Sequence, residues 1–201
     1  MPDNSSKSAA PRWVPVWILA LCLAPVLIAL ALYYNPEWIG GRIHHGRLIA
    51  PAIQVARGQW LGFDDFSKEN IEEISGHWIL LQWITPHGCS QTCQNSLNKT
   101  RQVRLMLGKD LSRIRRVAVV MAEVSEKNAR SWWKEHPHLL RIRSTPDLEK
   151  LASSTLGAPI PEGVVMILDP LGNLMMWYPS GFDPYGLKKD LQRLLQVSRL
   201  G

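Results

Sequence analysis

The chain has 201 residues, with 23 Lys plus Arg against 17 Asp plus Glu and a formal net charge of +6. Once an N-terminal apolar run is set aside, that length leaves room for one globular domain. The basic residues are spread along the chain without a block of five or six, which argues against nucleic-acid binding; an anionic membrane surface accounts for the excess. Three cysteines, Cys22 in the apolar run and Cys89 and Cys93 close together, are too few for a disulfide-stapled scaffold.

In chain order, residues 1–12 form a short tail. Residues 13–34 read WVPVWILALCLAPVLIALALYY, an uncharged run long enough to cross a hydrocarbon core as a helix. Trp13 and Trp17 mark one end, and Tyr33, Tyr34 and Trp38 the other, as interfacial aromatics do. Pro15 suits the helix start, and Pro25 predicts a kink. A cleaved signal would carry a small-x-small site, whereas Tyr33-Tyr34-Asn35-Pro36 follows here, so an uncleaved anchor is expected. Flanking charge is balanced, Lys7 and Arg12 against Arg42 and Arg47. The small tail inside and the domain outside is the simpler topology.

Residues 35–70 show little periodicity and read as a connector packed on the domain, since Trp60, Phe63 and Phe66 call for burial. Residues 71–201 alternate strand and helix signals. The run 78–84 (WILLQWI) is a buried strand, closed by the turn Thr85-Pro86-His87-Gly88. Residues 90–107 predict a helix with Val103, Met106 and Leu107 on one stripe and Gly108 beyond its end. Residues 117–122 (VAVVMA) predict a second inner strand. A helix is expected over 128–140, carrying Trp132 and Trp133, and a short strand over 141–143. Thr145-Pro146 reads as an N-cap and first helical residue, with Leu148, Leu151 and Ala152 on one face. Residues 164–168 and 174–178, joined by Asp169-Pro170-Leu171-Gly172-Asn173, predict a hairpin. A last helix begins near Asp183-Pro184, with Leu187, Leu191, Leu194 and Leu195 as its apolar stripe, Leu191 and Leu194 toward the sheet. A βαβ half followed by a ββα half makes an α/β fold, a mixed sheet with helices on both faces; this is the thioredoxin-like arrangement, here behind one N-terminal transmembrane helix.

Cys89 follows the first strand of this pattern and opens its first helix. A helix N-terminus carries partial positive charge and unpaired N–H groups, both of which favour a thiolate. Cys93 lies four residues on, on the same helical face. The pair could form a disulfide if the first turn is distorted, or clasp one soft cation such as Cu(I). His87, two residues before Cys89, is a candidate ligand or proton-transfer group. His44-His45 and His136-Pro137-His138 have spacings that are not diagnostic of a metal.

The chain resembles the Sco family, membrane-anchored thioredoxin-like proteins of cytochrome c oxidase assembly. The resemblance rests on the N-terminal anchor, on Gly88-Cys89-Ser90-Gln91-Thr92-Cys93 after a strand, and on the late hairpin Ile167-Leu168-Asp169-Pro170-Leu171-Gly172. It is more closely similar to a bacterial offshoot described as cytochrome oxidase-associated membrane protein, through Tyr34-Asn35-Pro36, His45-Gly46-Arg47-Leu48-Ile49 with Pro51, and Thr100-Arg101-Gln102-Val103-Arg104-Leu105 before Leu107-Gly108-Lys109. The resemblance implies a single-pass inner-membrane protein with its domain in the periplasm. Its partners would be a terminal oxidase subunit or its assembly factors, and its chemistry thiol–disulfide exchange or copper handling through Cys89 and Cys93. The Sco copper site adds one later histidine. Counting back from the Asp-Pro-x-Gly turn reaches Pro161; no histidine follows His138, and His87 is the nearest candidate in sequence. The rival functions are a general periplasmic thiol–disulfide oxidoreductase and a non-catalytic membrane-tethered binding module.

Overall fold

A computed structural model describes residues 13–35, 44–55, 60–121 and 129–198. The 1–12 tail with its Lys7 and Arg12, and Trp38, Arg42, Gly58, Ala122 and Asn128, lie outside the described residues. The chain divides after residue 43 into two compact units.

In the first unit, α1 (Val14–Tyr34) is a 21-residue helix with Pro15 in its first turn and Pro25 inside it. At 1.5 Å per residue it is about 32 Å long, close to the ~30 Å of a bilayer's apolar layer. It carries no charged residue and buries none of its side chains in protein, and its length and composition suit a membrane span.

The second unit is built on a six-stranded sheet in the order β1-β6-β5-β2-β3-β4. These strands are β1 (Arg47–Gln54), β2 (Trp78–Ile84), β3 (Ile114–Val120), β4 (Leu139–Arg143), β5 (Val165–Leu168) and β6 (Asn173–Tyr178). The three strands β2, β3 and β4 run parallel, with Leu81 opposite Val117 and Val117 opposite Leu140. The other three join antiparallel, β5 on β2, β6 on β5 and β1 on β6. Every residue of β2 is buried, which is why it reads as a continuous apolar run without alternation.

Among the described residues, four α-helices accompany the sheet: α2 (Asp65–Glu69), α3 (Gln91–Met106), α4 (Pro146–Leu156) and α5 (Pro184–Val197). On one face, Trp78 and Leu80 of β2 and Ile167 of β5 pack with Val103 of α3 and with Leu187, Leu191 and Leu195 of α5. On the other, Ile79, Leu81 and Trp83 pack with Leu148 and Ala152 of α4. The period-2 geometry of β2 thus sends successive side chains to opposite layers. Side-chain caps fix the helix starts. Ser90 accepts from the N–H of Cys93, Thr145 from that of Leu148, and Asp183 from those of Tyr185 and Gly186.

Three expectations change. The helix expected over 128–140 is absent from 130 to 138, which runs as turns; Pro137 disfavours a helical residue before it, and β4 already begins at Leu139. On α5 the buried stripe is Leu187, Leu191 and Leu195, with Leu194 at its border. Inside residues 35–70, the strand β1 forms a mostly exposed sheet edge, where Pro51 removes no needed donor. It is pinned at its start by Asp190 of α5. That carboxylate accepts from the N–H of His45 at 2.6 Å, the N–H of Gly46 at 3.1 Å and the Tyr178 hydroxyl at 2.6 Å.

Candidate functional site

Cys89 and Cys93 are joined as a disulfide at the first turn of α3, with Cα atoms 5.1 Å apart. Cys93 is the buried partner, at 4% exposure, among Ile84, Leu97 and Ala118. Cys89 is half-buried on the edge of the same cluster beside Trp132. The strand-to-helix turn is closed by the N–H of Gly88 donating to the Thr85 carbonyl at 2.9 Å. Gly88 has φ +98°, and a Cβ there would lie 2.8 Å from the Trp132 ring. Only glycine meets both demands. The first turn of α3 contains no acidic residue of its own, and its partial positive charge favours a thiolate formed on reduction.

The residue that sequence reasoning missed is Glu162. Its carboxylate accepts hydrogen bonds from the hydroxyls of Ser90 and of Thr85, the latter at 2.9 Å. One acidic side chain therefore ties the cap of α3, the end of β2 and the segment before β5. The count back from Asp-Pro-Leu-Gly ended at Pro161, one residue past it. Behind this layer, Ser96 donates to the Gly163 carbonyl at 2.9 Å and accepts from Gln82 at 2.8 Å. The helix carrying the cysteines is thus fixed to the loop facing them. Beside the turn, Thr85, His87, Met121, Pro159, Ile160 and Glu162 line an open groove of about 580 Å³.

His87 is exposed in the Thr85–Gly88 turn and faces this groove. The structure brings Cys89 and Cys93 together; no hydrogen bond or ion pair joins His87 to them among the described residues. After reduction the pair offers two soft donors. Among the described residues, no group of three His, Cys, Asp or Glu gathers as a metal site. Glu162 is a hard oxygen donor already engaged by two hydroxyls. The residues at this turn therefore do not complete the three-ligand set that the Sco resemblance implies. His45 is engaged by Asp190 at 3.2 Å, and His136 and His138 lie in another pocket.

Among curated proteins, none matches the chain by sequence. The fold has solved relatives. Apo Sco1 from Thermus thermophilus is 17% identical, with a TM-score of 0.53 over 77% of this chain and 99% of that one. Yeast Sco1 is 14% identical, with a TM-score of 0.51 over 63% and 84%. Copper-bound ScoI from Arabidopsis thaliana is 15% identical, with a TM-score of 0.50 over 63% and 89%. At these identities the likeness establishes a common thioredoxin-like fold. The model of one protein family matches residues 78–198, which is more than half of the chain. That stretch runs from the first residue of β2 to the end of α5 and holds both cysteines, and by it the protein belongs to the family described as transmembrane-like, thioredoxin-like, C-terminal domain.

Proposed function

We propose that the protein is a membrane-anchored thiol–disulfide exchange factor of cytochrome c oxidase biogenesis, with its domain on the periplasmic side of the inner membrane. The observation that carries the chemistry is the asymmetric disulfide: Cys89 is half-buried beside the Thr85–Gly88 turn, and Cys93 is buried in the core. In the reduced form, the Cys89 thiolate attacks one sulfur of a partner disulfide and expels the other as a thiolate, leaving a mixed disulfide. The Cys93 thiol, losing its proton, then attacks the Cys89 sulfur and releases the second partner thiolate, which is protonated by solvent. Two electrons pass to the partner, and the protein returns to the bonded form seen here. A dithiol reductant outside this chain restores it.

The oxidase assignment is supported by the ordered motifs shared with the Sco family and by the common fold. Copper handling would need a third soft donor from a partner, so the exchange reading rests on the two sulfurs alone. The test is trapping in cells. A Cys93→Ser variant cannot resolve the mixed disulfide, and it should accumulate one with an oxidase subunit or an assembly factor. Adducts spread over many exported proteins would instead indicate a general oxidoreductase. Normal oxidase assembly supported by the Cys89→Ser, Cys93→Ser double variant would leave only the binding module.

A further inference from the structure

A second site lies at the other end of α3. One pocket of about 190 Å³ is lined by Arg101 and Arg104 of α3, Arg116 of β3, and His136 and His138 of the turn before β4. Five cationic or protonatable side chains, distant in sequence, converge there, and no carboxylate lines the pocket. With eight to eleven residues between Cys93 and the two α3 arginines, the pocket is roughly 12–17 Å along the helix from the disulfide.

Arg116 is the decisive residue. It is 4% exposed, yet its guanidinium meets no acidic side chain among the described residues. Its Nε donates to the Thr100 hydroxyl at 3.1 Å and its Nη2 to the Leu97 carbonyl at 2.8 Å. Neither of these hydrogen bonds uses Nη1. His136, 2% exposed, has an Nδ1 with no partner. Burial first, then Arg104 and Arg101, lowers the Arg116 pKa to about 9; burial, then Arg116 and Arg101, lowers that of His136 to about 4. Like charges therefore crowd one another here, and no carboxylate lines the pocket. Glu73, whose charge reaches Arg104, is committed to Arg115 at 2.8 Å. A buried cation is normally paired, and guanidinium forks match the oxygens of phosphate.

We infer that the Arg101–Arg104–Arg116 pocket binds an anionic phosphate group, supplied either as free phosphate or as the headgroup of an anionic phospholipid. The group would accept from the Arg116 guanidinium, from exposed Arg101 and from the terminal nitrogens of half-buried Arg104, whose Nε donates to the Ile114 carbonyl at 2.9 Å. The site is separate from the cysteine pair, and binding does not depend on its redox state.

The test uses the full-length chain in discs of neutral phosphatidylcholine, with the ring resonances of His136 and His138 as a readout at the pocket. Inorganic phosphate is titrated at constant ionic strength against chloride. In a second arm, part of the lipid is replaced by phosphatidylglycerol. A saturable shift with inorganic phosphate assigns free phosphate; a shift produced by phosphatidylglycerol alone assigns a headgroup. Either shift should weaken about tenfold in Arg101→Gln, an exposed change that leaves the buried network intact. Arg116→Lys, which keeps a charge but loses the fork, should also weaken it. No saturable shift in either arm, a response equal to that of chloride, or full binding by Arg101→Gln overturns the proposal.

Discussion

At the scale of single residues, buried polar groups set what the domain can do. Asp190 is the clearest case for stability. Burial alone raises a carboxylate's pKa, but hydrogen bonds from the Tyr178 hydroxyl, His45 and the Gly46 N–H outweigh it and hold Asp190 below its ordinary 3.8. Since the folded value is depressed, the unfolded chain takes up the proton first as pH falls. The contribution is complete above 3.8 and is lost as pH falls through the folded value. Urea melts at stepped pH should therefore show Asp190→Asn well below the wild type near pH 6, with the gap narrowing toward about pH 2; a gap that does not change with pH would contradict this. Cys89 and Cys93 were legible in the sequence because a helix N-terminus after a buried strand gives cysteines a chemical meaning. Glu162 was not, because nothing in Pro161-Glu162-Gly163 announces that two hydroxyls converge on it. Arg116 was hidden in an apolar strand, its neighbours in the pocket contributed by segments far apart in the chain.

At the scale of elements, legibility followed burial. The strand β2, the β5–β6 hairpin and α5 bury whole faces, so their apolar patterns are unambiguous. The strand β1 exposes most of its side chains and is held by hydrogen bonds and by Asp190, which leave no period in the sequence. The tryptophans at 132 and 133 were expected on a helix, yet they serve the turn, with Trp132 against Gly88 and Trp133 against Phe63 at 5.8 Å between ring centroids. Leu191 is fully buried between α5 and the sheet. Leu191→Ala should cost on the order of 2–5 kcal/mol in chemical denaturation, and a loss under about 0.5 kcal/mol would mean that α5 does not dock as described. Gly88→Ala should also destabilise the domain, since it adds a Cβ at φ +98° against the Trp132 ring. Wild-type stability and unchanged thiol reactivity in that variant would show that the turn relaxes freely.

At the scale of the molecule, an uncharged helix of membrane-spanning length precedes a thioredoxin-like domain. Full-length protein should remain in the membrane pellet after a carbonate wash, whereas release of a shortened soluble form would indicate cleavage after α1. A reporter that requires export, fused after Gly201, should be active; activity of a cytoplasm-only reporter there would reverse the proposed orientation. The central claim is that Cys89 and Cys93 act as one exchangeable two-electron pair in which only Cys89 is presented to partners. Redox-buffer titration of the full-length protein, with mass-resolved alkylation of each thiol, tests it most directly. The account predicts that both cysteines change state together, with a tenfold change in ratio per ~30 mV, and that in the reduced protein Cys89 is alkylated before Cys93. Cysteines that titrate independently, stay reduced in oxidising buffer, or react at equal rates would contradict it.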